Sequence, residues 1–160
     1  MLDIAALMDE PPYVPVPSGD TSPSKVFIAS DYLKENAKRV REGNVHVIWR
    51  FCIMQALDIY EAEKAHHSLE KAKSIFAKPI VDEVSEDTKY LDAGFTALAW
   101  YLSNKDNWVS YFWMEQKGKA ENVFWVVPST RYGKYQAEEA PVPEFKEYGV
   151  LVHVDDLRRA

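Results

Sequence analysis

The sequence has little cysteine and no long apolar run. Cys52 is its single cysteine, so no disulfide forms within the chain and the framework typical of small secreted domains is excluded. The most apolar stretches, 45–60 and 95–102, are interrupted by polar residues or are far shorter than the roughly 20 residues that cross a bilayer. The first residues are acidic rather than basic, unlike a secretion signal. We therefore expect no membrane segment and a location in the cytoplasm, or within a particle assembled there.

Positive charge is also scarce. The 160 residues hold 19 Lys and Arg against 25 Asp and Glu, a net charge of -6, and neither half of the chain is basic. Nucleic-acid binding depends on neutralising phosphates, so a dedicated nucleic-acid-binding protein is disfavoured. The glycine-rich phosphate-binding motifs are missing as well.

Candidate metal-ligating or catalytic residues occur in only two places. Glu63 lies three residues before His66 and four before His67, and His153 lies beside Asp155 and Asp156. Neither group has the further ligands that a metal centre needs. The first is therefore interpreted as a solvated helix face with ion pairs, and the second as the polar end of a strand followed by a short tail. Cys52 lies on an apolar helical stripe and is predicted to be a core residue. The sequence thus predicts no catalytic residues, no metal and no cofactor.

Residues 1–25 differ in composition from the rest. An apolar tip is followed by EPPYVPVPSGDTSPS, whose five prolines favour extended backbone. This segment is predicted to be a proline-rich arm that lies along another surface, and 26–160 to be a single domain. The contact residues proposed for the arm are Leu2, Ile4, Leu7 and Tyr13.

Apolar spacing and capping residues predict three helices. The first covers about 31–42 and ends at Gly43. The second is much longer, from about 44 to 77, with a first half that is apolar on nearly all sides. The third covers about 86–104, after an acidic stretch that its dipole favours.

Strand signals dominate the C-terminal part of the chain. The segments WVSYFWME (108–115) and VFWVV (123–127) are rich in aromatic and β-branched residues and predict a β-hairpin. GVLVHV (149–154) predicts one more strand. The expected fold class is α+β, with three N-terminal helices, one of them long, followed by a small antiparallel sheet of about three strands.

Aromatic residues occupy both faces of the predicted hairpin. Trp108, Trp113 and Trp125 are therefore candidate partner-binding residues, because a two-sided apolar sheet needs cover on both faces. The alternative is cover from within the chain, by the long helix on one side and the arm or C-terminal segment on the other.

The segment VPSTRYGKYQ, between two predicted strands, is a candidate ligand-binding loop. Arg131 and Lys134 could bind phosphate, and Tyr132 and Tyr135 could stack on a base. The same residue types also form protein-interface hot spots.

Two functional hypotheses follow. The first is a non-enzymatic protein-interaction or assembly subunit, such as a viral or phage structural or accessory protein, binding through the arm and the aromatic hairpin to a protein partner or to itself. The second is a small nucleotide- or single-stranded nucleic-acid-binding protein using the 129–135 loop, with enzymatic activity left open.

Overall fold

A computed structural model describes residues 45–81, 83–128 and 130–157. The first element of the described residues is a long helix, α1. It consists of three continuous segments: α-helical Val45–Ile48, a π-helical turn Trp49–Ile53, and α-helical Met54–His66. The π turn widens the helix by one residue, and the N–H of Met54 donates to the carbonyl of Trp49. Its inward side chains, including Ile48, Cys52 and Ile53, are buried.

Helix α1 ends where the backbone of His67 leaves helical geometry. Ser68 then starts a short helix, α2 (Leu69–Lys73), by accepting a hydrogen bond from the N–H of Lys71 at 3.1 Å. A 3-10 turn, Ser74–Phe76, follows directly. The predicted helix over 44–77 is therefore interrupted at 67–68.

Helix α3 (Lys89–Asp106) is the central element. Its core side is lined by apolar residues spaced three and four apart, and Asn107 ends it in the left-handed conformation. The predicted helix over 86–104 is thus confirmed, shifted by two or three residues. At Gly94, α3 lies so close to α1 that an added Cβ would stand 2.8 Å from the Cδ1 atom of Ile53.

A short helix, α4 (Phe112–Gln116), occupies the place of the first predicted hairpin strand. The chain then forms β1 (Trp125–Val126), helix α5 (Arg131–Glu139), helix α6 (Pro143–Glu147), β2 (Val150–Leu151) and a 3-10 turn, Val154–Leu157. Strands β1 and β2 are parallel, with Trp125 opposite Val150 and Val126 opposite Leu151. Helices α5 and α6 form the crossover that parallel strands require.

The predicted fold class is wrong. The described chain is mostly helical and has two short parallel strands, not an antiparallel sheet of about three strands. The segment 123–127 does contain a strand, but its partner is β2 instead of 108–115. The physical reason is that Trp108, Tyr111 and Trp113 each pack individually against the helical core, which overrides their β propensity.

Some predictions lie outside the described residues. These are the arm over 1–25, with Leu2, Ile4, Leu7 and Tyr13, and the helix over 31–42. Within the described ranges, no helix is long and apolar enough to span a membrane.

Candidate partner-binding surface

Two of the predicted contact tryptophans lie in the core. Trp125 is 4% exposed and packs edge-on against the rings of Trp49 and Tyr90, with centroid distances of 5.8 and 5.4 Å. Trp108 is 6% exposed and stacks on Phe76 at 6.3 Å. The surfaces of Trp108 and Trp125 are already buried within the chain. The alternative that other parts of the same chain cover these side chains therefore fits both residues.

Trp113 is half-buried and anchored. Its indole N–H donates to the carbonyl of Phe76 at 2.8 Å, and its ring stacks on Phe95 at a centroid distance of 6.0 Å. Trp113 therefore holds α3, α4 and the turn after α2 together.

Neighbouring apolar residues are exposed instead. Val109 is 82% exposed and Phe112 is 75% exposed, although Trp108 and Met114 beside them are buried. Single exposed apolar side chains are common on protein surfaces and need no partner. The remaining large exposed apolar side chains of the described chain are Phe51, Val84, Val123, Phe124, Val126, Tyr132 and Tyr135.

A polar cluster joins α1 to the end of α3. The hydroxyl of Tyr60 donates to Asp106 Oδ2 at 2.6 Å, and Lys64 Nζ donates to the same oxygen at 3.0 Å. Burial, together with the hydrogen bond to Asp106, raises the pKa of Tyr60. Tyr60 is fully buried, so its hydroxyl has no access to a substrate and the cluster is interpreted as a structural link.

The histidine groups of the sequence form local pairs. Glu63 contacts His67 at 2.8 Å, while His66 is exposed, and His153 lies 3.5 Å from Asp155. No three His, Cys, Asp or Glu side chains of the described ranges are placed to hold a metal ion. Nothing in their geometry assembles a metal or acid–base centre.

Cys52 is a core residue, as predicted. It is buried among apolar side chains, and burial raises the pKa of its thiol to about 12. At neutral pH the thiol is protonated, and a protonated thiol is a poor nucleophile.

The predicted ligand-binding loop is mostly helix α5. The helix begins because the Thr130 hydroxyl accepts a hydrogen bond from the N–H of Gly133 at 3.0 Å, an N-cap that satisfies one of the first amide groups. Gly133 has no room for a larger side chain, since an added Cβ would stand 2.9 Å from Pro128 Cβ and 2.9 Å from the Thr130 hydroxyl.

Helix α5 presents nearly all of its side chains to solvent. Ala137 is its single buried residue. Tyr132 is 69% exposed and Tyr135 is 58% exposed, and Arg131 and Lys134 are exposed as well. The structure thus brings the four predicted ligand-binding residues together on one helix. We call the exposed side chains of this helix the α5 face: Arg131, Tyr132, Lys134, Tyr135, Glu138 and Glu139.

The charges of the α5 face run against the helix dipole. Its basic residues stand in the first half and its acidic residues in the last turn, with no acid in the first turn and no base in the last. A helix dipole favours the opposite order. Within the part of the chain that the structure describes, none of these four charged residues forms an ion pair. Lysines elsewhere in the described chain do form such pairs, namely Lys64, Lys73, Lys89, Lys105, Lys117 and Lys119.

The sequence does not point to Glu138 and Glu139, because its pattern predicts a loop over 129–135. The signal for them is the spacing of Arg131, Tyr135 and Glu139, four residues apart, which places all three in one row once the segment is helical. Comparisons with protein-family models, curated proteins and solved structures find no match for this chain.

Proposed function

We propose that this chain is a non-enzymatic protein-interaction or assembly subunit and that the α5 face is its partner-binding surface. One observation carries the proposal: two large aromatic side chains, Tyr132 and Tyr135, are mostly exposed on a helix that contributes only Ala137 to the core. The fold needs neither ring for its packing.

The residue types of the α5 face fit this role. Tyrosine and arginine are enriched at the centres of protein interfaces, since each supplies a large contact area together with a hydrogen-bonding group. Ordering an exposed tyrosine costs little conformational entropy because it has two rotatable side-chain bonds. Tyr132 and Tyr135, flanked by Arg131, form a compact group of this kind.

Further contacts belong to the same hypothesis. The proline-rich arm, residues 1–25, remains a predicted second contact, and deleting it while measuring the mass of the complex tests that contribution. The role of the chain as a viral or phage structural or accessory protein remains a prediction of the sequence.

Photo-crosslinking tests the proposed surface directly. Benzoylphenylalanine replaces Tyr132 or Tyr135 in the full-length chain, and the chain is irradiated in the cells that naturally make it. Lys78 and Glu121, exposed residues outside α5, serve as control positions. We expect crosslinked protein species from the two α5 positions and none from the controls.

Three results would contradict the proposal. The first is the absence of crosslinks at both α5 positions, and the second is an equal yield at the control positions. The third is a crosslinked species that nuclease removes, which would favour the nucleic-acid hypothesis. The carboxylates of Glu138 and Glu139 on the same helix disfavour that hypothesis, because they repel phosphate.

A further inference from the structure

The geometry of α5 points to the identity of its partner: we infer that the α5 face of one copy binds the α5 face of a second copy, with the two helices antiparallel. This inference rests on the proposed function and names the occupant of the same surface. It follows from the order of charges along the helix and from their lack of partners within the described chain.

The charge order of α5 is self-complementary. Arg131, Tyr135 and Glu139 are spaced four residues apart and share one row on the helix surface. Four residues correspond to about 6 Å of helix, so the basic and the acidic end of the row lie about equally far from Tyr135. A two-fold axis beside Tyr135 places Arg131 of each copy opposite Glu139 of the other copy, so the pair forms two such contacts.

This arrangement matches the interfaces of symmetric dimers. In such a dimer both copies use the same patch. If one residue of the first copy contacts a second residue of its partner, the same two residues also make that contact with the copies exchanged. Tyr135 would meet its own equivalent near the axis. Glu138 lies seven residues after Arg131, close to the same side of the helix, so it adds a second carboxylate at the acidic end of the row.

The helix on its own does not account for these charges. Arg131 near the N-terminus and Glu138 and Glu139 near the C-terminus each oppose the helix dipole. Lys134 and Glu138 are four residues apart, but with the lysine first, which is the less stabilising order. An antiparallel second helix offsets these costs because it brings opposite charge, and an opposed dipole, to both ends.

Other occupants account for only part of the pattern. A phosphate or another anion would engage Arg131 and Lys134 but leave the two glutamates unexplained. A uniformly acidic or basic partner would be attracted at one end of α5 and repelled at the other. A second copy in the antiparallel arrangement brings opposite charge to both ends of α5.

The size of the surface sets the strength of the expected dimer. Helix α5 has nine residues and is about 13 Å long. Stable interfaces bury about 800 Å² on each partner, more than one short helix offers. We therefore expect a dimer that dissociates on dilution.

Charge reversal tests the inference. The experiment is sedimentation velocity on the full-length chain over a range of concentrations at low salt, with two variants: R131E/K134E and E138K/E139K. Each reversal places like charges at both ends of the antiparallel pair, so we expect the Kd of each homodimer to rise at least tenfold. Mixing the two variants restores opposite charges, and we expect a heterodimer with a Kd near that of the wild type.

A matched control separates the site from net charge. K78E/K146E changes the net charge by the same amount as R131E/K134E, at exposed lysines outside α5. This control is expected to dimerise within about threefold of the wild-type Kd. Circular dichroism of all variants checks that the fold is retained.

The possible failures are distinguishable. A wild-type chain that stays monomeric, reversals that leave the dimer unchanged, or a mixture that forms no heterodimer would each overturn the inference. If α5 crosslinks only to a protein of different mass, the antiparallel self-contact is wrong while the proposed function stands. If α5 crosslinks to nothing, both are wrong.

Discussion

Trp108 donates its indole N–H to the hydroxyl oxygen of Tyr60 across 2.9 Å. The two residues are 48 positions apart, and their hydrogen bond ties the loop after α3 to the middle of α1. The same hydroxyl donates to Asp106, so one buried oxygen serves both as acceptor and as donor. Both hydrogen bonds depend on a single atom.

Replacing Tyr60 with phenylalanine should therefore destabilise the fold. Tyr60→Phe leaves the buried indole N–H of Trp108 without its acceptor and removes one donor from Asp106. We expect a loss of about 1–3 kcal/mol in the free energy of unfolding, measured by urea denaturation. Tyr132→Phe is the matched control, since its hydroxyl is exposed, and its effect is expected below about 0.5 kcal/mol. Equal effects of the two substitutions would contradict the assigned link.

Acid should weaken the same link. Burial raises the pKa of Asp106, but hydrogen bonds from Tyr60 and Lys64 lower it by more, so its pKa lies below the ordinary value. Such a carboxyl stabilises the fold at pH values above the pKa that it has in the unfolded chain, which is near 4. This contribution is lost as the pH falls through the lower pKa of the folded state. We expect the wild type to be more stable than Asp106→Asn at pH 7, with the difference shrinking below about pH 4. A difference that stays constant down to pH 2 would contradict the ionic role of Asp106.

The parts of the fold that the sequence predicted are those with local signals. In α3, Leu91, Leu98 and Leu102 are spaced to line one face, and all three are buried. The burial of Cys52 followed from the same periodicity in α1. Such signals depend only on residues within a few turns of each other, so they are readable without the rest of the structure.

The aromatic segments could not be placed in the same way. Tryptophan is enriched in strands in general. Here, however, Trp108 donates a hydrogen bond to Tyr60 and Trp113 donates one to the carbonyl of Phe76, and both partners are far away in sequence. Tertiary contacts of this kind decide between strand and helix and leave no local pattern. Likewise, the pairing of Trp125 with Val150 depends on the intervening helices α5 and α6.

The four candidate ligand-binding residues lie on one element, but that element is a helix and not the loop that the sequence predicts. Arg131, Tyr132, Lys134 and Tyr135 were grouped by residue type, and the structure places all four on α5. Because the sequence predicts a loop over 129–135, it does not show that the row of Arg131 and Tyr135 continues to Glu139. Thr130, three residues before Gly133, was the available signal for a capped helix start.

Close packing at Gly94 predicts a large effect from one added methyl group. In Gly94→Ala the new Cβ would stand 2.8 Å from Ile53 Cδ1 and 3.2 Å from the ring of Trp125. Overpacking of this kind costs about 1–3 kcal/mol, more than the gain of up to 1 kcal/mol in helix propensity. We expect net destabilisation in urea unfolding. Gly118→Ala is the control, since nothing lies within 4 Å of its added Cβ, and it should leave stability nearly unchanged.

Burial predicts slow alkylation of Cys52. Its thiol has a pKa of about 12, raised by burial, and the side chain is almost inaccessible. We expect iodoacetamide at pH 8 to modify the folded chain far more slowly than the chain in 6 M guanidinium, as followed by mass spectrometry. Rapid modification without denaturant would show that α1 opens readily at its π turn or that the thiol is exposed.

The α5 charges predict an opposition between stability and association. R131E places an acid in the first turn of α5, where the helix dipole favours it, so this change should stabilise the folded monomer by a few tenths of a kcal/mol. The same variant should lose self-association. Urea unfolding of dilute samples, where the wild type is also monomeric, measures the first effect, and sedimentation at high concentration measures the second. A variant that is both less stable and less associated would mean that Arg131 supports the fold itself. A variant with higher stability and a lost dimer would show that the wild-type charges serve the contact at the expense of the helix.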